Sequence, residues 1–289
     1  MSFDRLRPQT PVFPQQAEQY ALDALRLSEA AAARCRTVFD LAYGKHPDQG
    51  LDLYLPAGDA SGPAPVLVFA HGGGWSHGYK EWMGLMAPPL VAAGIVLVSV
   101  GHRLAPEHKY PLPMEDCLAA LGWVHRHISA HGGDPSRIAV GGHSSGGHLY
   151  AMVALQPKRL RGAGVPPAAI VACAPLSARL DMDFEGRAPG SVEARHHSIL
   201  FHDPGEARAA SPISHVAADA PPFFLAWGSH DIDGVTRSNE RMRDAMTACG
   251  MVHEVMVLEG ADHFDTALRA ADAGNPWVQR IIAILEAGR

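Results

Sequence analysis

The 289-residue chain is 47% hydrophobic and 19% charged, the balance of an ordinary globular protein, and its formal net charge is −6. That charge excludes long-range attraction to nucleic acid or to an anionic membrane surface. The four cysteines, Cys35, Cys117, Cys173 and Cys249, contain no Cys-x-x-Cys pair, which argues for reduced thiols rather than a disulfide framework. Residues 1–14 hold no apolar core of a signal peptide, and no apolar run is long enough to span a bilayer, so a cytoplasmic location is expected.

Residues 15–36 carry Ala, Leu, Glu and Arg at helical spacing and predict a helix in an N-terminal segment, 1–37. It either covers the mouth of a site or packs on the surface. Residues 38–42 and 51–55 read as two early strands around a turn at His46-Pro47-Asp48, and 56–65 as a Gly/Pro/Ala loop. From residue 66 onward, apolar runs alternate with helical stretches. Strands are expected at 66–70, 95–100, 137–141, 168–174, 223–227 and 253–258. Helices are expected at 82–93 (broken near Pro88-Pro89), 114–130, 147–155, 237–249 and 276–287. The strands are near-continuous in Val, Ile, Leu and Phe, as strands are when helices cover both faces of a mostly parallel sheet. Residues 176–220 break the rhythm, being rich in Arg, Asp, Pro, Gly and Ser. They read as an inserted cap between the sixth and seventh core strands of a single 38–289 domain.

Two motifs follow strands in this series. Gly142-His143-Ser144-Ser145-Gly146 comes after Ile138-Ala139-Val140 and before a helix. A serine on so sharp a strand-to-helix turn leaves no room for side chains two positions either side, so glycine fills both. The exposed hydroxyl then sits at a helix N-terminus, where N–H groups point at a developing oxyanion. His71-Gly72-Gly73-Gly74-Trp75 follows the 66–70 strand and brings bare backbone N–H groups toward the same place. The expected oxyanion donors are the N–H groups of Gly73, Gly74 and Ser145. A serine hydroxyl also needs a base held by a carboxylate, each expected after a later strand. His263, after the 253–258 strand, is the base candidate. Asp231, after the 223–227 strand, is the acid candidate, with Asp233 as its rival. Asp262 and Asp265 are sequence neighbours of the base and reach its Nδ1 poorly.

With these residues in place, the chain resembles the α/β-hydrolase superfamily of serine esterases over residues 38–287. His71-Gly72-Gly73-Gly74-Trp75, Arg103-Leu104-Ala105-Pro106-Glu107 and Gly142-His143-Ser144-Ser145-Gly146 are similar to hormone-sensitive-lipase-like carboxylesterases. The pattern from His71 through Gly78 and Lys80, the early Tyr43-Gly44 and 51–56, and Asp262-His263-Phe264-Asp265 are similar to kynurenine formamidase and small bacterial esterases. Both groups imply an α/β-hydrolase fold and a Ser144-Asp231-His263 triad acting through an acyl-enzyme on a small-molecule ester or amide. Cleavage of small carboxylic esters is the expectation. An arylformamidase acting on an N-formylkynurenine-type amide is the alternative, and a non-catalytic binding protein of the same fold is disfavoured because no triad member is lost. The resemblance also implies that Trp75 lines the acyl site, and His143 stands beside the nucleophile where it can meet substrate. The chain departs from its relatives at His102, at Ser145 where alanine is common, and in a cap that matches neither branch. No cofactor is expected. His127 and His131 lack the interposed glutamate of a zinc pair, so no metal is expected either. Dimerisation is common in such hydrolases, and no segment of this chain demands a homodimer.

Overall fold

The computed structural model describes residues 3, 6, 7, 9, 15–58, 62–183 and 188–287; residues 184–187 of the expected cap and most of 1–14 lie outside the described residues. Its strands are β1 (Arg36–Ala42), β2 (Gly50–Leu55), β3 (Ala64–Ala70), β4 (Val96–Val100), β5 (Gly133–His143), β6 (Ile170–Leu176), β7 (Phe223–His230) and β8 (His253–Asp262). They form one eight-stranded sheet in the order β1-β2-β4-β3-β5-β6-β7-β8. β1, β2 and β4 pair antiparallel and the remainder pair parallel, as the apolar runs predict.

The helices are α1 (Gln15–Ala32), α2 (Ala87–Ala92), α3 (Leu112–His127), α4 (Ser145–Ala154), α5 (Pro157–Gly162), α6 (Val192–Leu200), α7 (Glu206–Ala209), α8 (Asp233–Cys249), α9 (Asp265–Leu268) and α10 (Pro276–Ala287). Two cores follow from the strand pleat, because successive side chains leave opposite faces. Val66, Val68 and Ala70 of β3 join the core under α3, α4 and α8, with Met114, Leu149 and Met242. Leu67 and Phe69 join the opposite core under α1, α2 and α10, with Tyr20, Leu90 and Trp277. The expected helix at 82–93 divides differently. A 3-10 turn, Lys80–Met86, precedes α2, and Pro88 and Pro89 lie in the first turn of α2. Proline fits there because the first-turn N–H groups have no helical partner. It therefore starts a helix here instead of breaking one.

A charge cluster around the buried Asp52 ties the 3-10 turn to the antiparallel edge. Lys80 Nζ donates to Asp52 at 2.8 and 2.9 Å, to Glu81 at 2.7 Å and to Asp40 at 2.9 Å. The Asp52 side chain is fully buried. Burial pushes its carboxyl up to about 6, against the pull of Lys80. The folded state thus holds this proton more tightly than the unfolded chain does. Stability from this carboxyl is greatest in acid and declines as pH rises from the ordinary aspartate range to about 6. Lys80→Met removes the cation that makes the ionised form tolerable. It is expected to cost about 3–5 kcal/mol near pH 8. The cost shrinks near pH 5, where Asp52 takes up a proton. Thermal unfolding of both proteins at the two pH values checks this. Equal losses at both would mean that packing, not charge, sets the effect.

The parallel register brings the ends of the central strands to one edge. Ala70 lies opposite Gly142, His143 opposite Leu176, and His230 opposite Asp262. The loops that leave this edge begin at His71, Ser144, Ser177, Asp231 and His263, and the carboxyl edge of a parallel sheet is where such folds gather functional groups.

Candidate active site

Ser144 sits at the turn between β5 and α4 with φ 51° and ψ −117°, outside the ordinary regions for a residue with a side chain. Its amide donates to Leu176 O at 2.9 Å, and its carbonyl accepts from His148 at 3.1 Å, the first bond of α4. The need for glycine on either side is steric. A Cβ on Gly142 would stand 2.3 Å from the Gly146 carbonyl carbon, and one on Gly146 would stand 2.4 Å from Ala70 O. The elbow is therefore wedged onto the end of β3, which is also the root of the glycine loop. Gly73 and Gly74 in that loop have φ of +120° and +60°.

Ser144, His263 and Asp231 come together from three different loops. His263 Nε2 lies 3.0 Å from Ser144 Oγ, and His263 Nδ1 lies 2.7 Å from Asp231 Oδ1. An ionised carboxylate only accepts, so Nδ1 carries the proton and Nε2 presents a lone pair to the hydroxyl. Burial would raise the Asp231 carboxyl. Hydrogen bonds from His263, Ser177 and the Ile232 N–H, with the attraction of His263, outweigh burial and hold it below the usual carboxylate range. Asp233 begins α8 and is exposed, and no bond joins it to His263 among the described contacts. The Asp262 carboxylate accepts from the N–H groups of Phe264 and Asp265 at 2.9 and 2.8 Å, which shapes the turn carrying His263.

The other predicted residues surround this line. His143 is buried, donates Nε2–H to His263 O at 2.9 Å, and packs its ring 5.0 Å from the His263 ring. Burial, with repulsion from His263, lowers its pKa to about 3, so it stays neutral. It lines the cavity and also holds the backbone of His263. Trp75 is buried at the same cavity, and its indole N–H donates to His148 Nδ1 at 3.1 Å. His148 in turn donates Nε2–H to Ala210 O at 2.7 Å, so the Trp75 ring is fixed through α4 to the connection after α7. His102 stacks on His71 with centroids 4.4 Å apart, beneath the glycine loop.

The cavity over Ser144 has a volume of about 500 Å³. Sequence reasoning named Trp75 and His143 in its wall and offered the N-terminal helix as a cover of the site, but it named no residue of that helix. α1 contributes Tyr20, Ala21 and Leu25, the β7–α8 turn contributes Ile232, and the β6–β7 connection contributes Arg179 and His196. Tyr20 packs 5.3 Å from Trp82, 5.7 Å from His143 and 5.2 Å from Phe264, so α1 is seated directly beside the His263 loop. The 4-residue step from Tyr20 to Ala24, both buried, is the one signal in the sequence that this helix docks on something apolar. Gln9 extends the contact by exchanging two hydrogen bonds with the Gly78 backbone, at 2.8 and 3.0 Å.

With this geometry in view, known proteins resemble the chain in both sequence and fold. The family model BD-FAE matches residues 51–241, two-thirds of the chain. The chain belongs to the BD-FAE family. It is an α/β-hydrolase of the serine esterase group, and the family match spans Gly142–Gly146, the glycine loop and Asp231. Esterase LipC of Mycobacterium tuberculosis is 34% identical over 207 residues, covering 65% of this chain and 50% of that protein. Isoprenylcysteine alpha-carbonyl methylesterase ICME of Arabidopsis thaliana is 31% identical over 245 residues, covering 79% and 57%. The matched stretch spans about half the length of such curated relatives. Among solved structures, the thermostable carboxylesterase EstE1 from a metagenomic library superposes with a TM-score of 0.76 at 25% identity, covering 96% of this chain and 98% of that one. An esterase from Pyrobaculum calidifontis gives 0.76 at 23% identity, covering 94% and 92%, and bears on the fold alone. No helix among the described residues is long and apolar enough to cross a membrane.

Proposed function

We propose that the chain hydrolyses small carboxylic esters through an acyl-enzyme on Ser144. The observation that carries this reading is the continuous relay from Ser144 Oγ through His263 to Asp231, at 3.0 and 2.7 Å, at the floor of a substrate-sized cavity. Ser144 Oγ attacks the acyl carbon and gives its proton to His263 Nε2. The carbonyl oxygen takes the negative charge and is held by the N–H groups of Gly73, Gly74 and Ser145. Collapse breaks the ester C–O bond, and His263 returns the proton to the departing alcohol. Water then attacks the acyl-enzyme, with His263 again as base, and releases the acid and free Ser144. Asp231 holds the imidazole tautomer and stabilises the imidazolium in both halves. His143 and Trp75 are assigned to the cavity wall, His143 also supporting the His263 backbone. The esterase names borne by relatives in both comparisons favour an ester over an amide substrate.

The deciding assay compares p-nitrophenyl esters of rising acyl length with N-formylkynurenine. Turnover of the acetate-to-butyrate esters, well above that of the formamide, is expected. The reverse preference would assign the same machinery to an arylformamidase with a pocket closed to larger acyl groups.

A further inference from the structure

The proposed oxyanion donors come from two separate elements. Gly73 and Gly74 lie on the loop after β3, and Ser145 opens α4. Their relative placement decides whether all three N–H groups reach one oxygen. Ahead of the donors, Gly72 packs closely against the elbow: a Cβ on it would stand 2.7 Å from His143 Nδ1 and 3.1 Å from Ser144 Cβ. Beyond them, the loop reaches Trp75, buried and held at φ +61°, a left-handed conformation rare for a bulky residue. Such a backbone persists where surrounding contacts over-determine it. The Trp75 carbonyl accepts from the Ala105 N–H at 2.8 Å, and the indole N–H donates to His148 Nδ1 at 3.1 Å.

His148 lies in the first turn of α4, three residues after Ser145, and is fully buried. Its backbone N–H donates to the Ser144 carbonyl at 3.1 Å. Its Nε2 lies 2.7 Å from the Ala210 carbonyl, which only accepts. The proton is therefore on Nε2, and Nδ1 keeps the lone pair that the indole N–H needs. Burial, with repulsion from Arg179, lowers its pKa to about 4, so the ring is neutral near pH 7 and this tautomer holds.

We infer that His148 is a positioning residue for the oxyanion hole: through the Trp75 indole it fixes the Gly73–Gly74 loop against the Ser145 end of α4. The inference rests on the ester-hydrolase reading and adds a part to its machinery. Without this bond a buried indole N–H loses its acceptor, and the Trp75 backbone relaxes toward commoner conformations. That turns the peptide plane between Gly74 and Trp75 and moves the glycine loop relative to Ser145. The hole binds the ester oxygen most strongly once that oxygen is charged, so the loss falls on kcat more than on KM.

The test compares the full chain with Trp75→Phe, His148→Leu, the double variant, and His148→Asn, whose amide oxygen can stand where Nδ1 stood. kcat and KM are read on p-nitrophenyl acetate. The second readout is inhibition by 1,1,1-trifluoropentan-2-one. Ser144 Oγ adds to its carbonyl carbon, the hydroxyl proton passes to His263, and the carbonyl electron pair becomes an oxyanion in the hole, with no group leaving. Trp75→Phe and His148→Leu are each expected to lower kcat about 10- to 100-fold and to raise the ketone's inhibition constant by a similar factor, with KM moving less than about threefold. His148→Asn should recover most of both. The double variant should be little worse than the worse single one, because both changes remove the same bond. Trp75→Phe keeps an aromatic ring in place and keeps the test decisive if His148→Leu does not fold. An unchanged kcat in the single variants overturns the His148 inference and leaves the esterase reading standing. A kcat loss without weaker ketone inhibition, or losses that multiply in the double variant, overturn it equally. Absence of Ser144-dependent turnover in the wild-type protein overturns both.

Discussion

Ser144→Ala is expected to lower kcat by roughly 10⁴–10⁶-fold on any ester that the wild-type protein turns over, with thermal unfolding little changed. Loss of Oγ removes the atom that would form the acyl-enzyme, and no neighbouring group can replace it. Ser145 Oγ is buried at the start of α4 and has no hydrogen-bond partner among the described residues, so it is neither exposed to substrate nor held by a base. The proposed oxyanion donors are backbone groups and survive the substitution. They account for the residual rate above water that such variants retain. Stability should hold because alanine adopts the same backbone conformation at a similar cost. The hydroxyl is half-buried, and its described side-chain bond is the one to His263. Paired measurements of initial rate and unfolding midpoint on wild type and variant decide the matter. Near wild-type turnover would sink the assignment of Ser144 as nucleophile.

Much of this site was legible before the structure because its chemistry constrains local sequence. The elbow needs glycine at 142 and 146, since any Cβ there strikes backbone. A buried parallel sheet needs uninterrupted apolar runs such as Val66–Leu67–Val68–Phe69, all of them fully buried. His263 and Asp231 stood out by following the right strands, and the carboxyl edge brings His263 to Ser144 across 119 residues of chain and to Asp231 across 32. What local sequence does not encode is which distant surfaces close over that edge. Tyr20 and Leu25 sit on a helix whose amphipathic pattern says only that one face is buried. Arg179 reads as one charge in a polar connection until the fold turns it inward, and Pro88-Pro89 reads as a helix breaker unless the preceding 3-10 turn is known. The wall of the cavity is therefore the part that long-range packing decides.

Asp231→Asn is expected to lower kcat by roughly 10²–10⁴-fold, whereas Asp233→Asn should leave it essentially unchanged. The reason lies in what surrounds each carboxylate. Asp231 Oδ1 faces both His263 Nδ1 at 2.7 Å and the Ile232 N–H at 2.7 Å, and Oδ2 accepts weakly from the Gly228 N–H at 3.3 Å. Every group around it donates. An asparagine amide must therefore either keep its oxygen toward His263 or turn its NH₂ there. The first choice preserves the imidazole tautomer but removes the negative charge that stabilises the imidazolium. The second pairs donor with donor, or forces the Nε2–H tautomer, which cannot take a proton from Ser144. Either outcome slows proton transfer while leaving the cavity walls in place, so KM should move far less than kcat. Asp233 is exposed at the first turn of α8, where its charge favours the helix N-terminus. Removing that charge is expected to cost about 0.3–1 kcal/mol of stability and no proton-transfer step. Steady-state kinetics on the two variants separates these roles. A large kcat loss in Asp233→Asn with an active Asp231→Asn would transfer the acid role to Asp233 and break the relay drawn here.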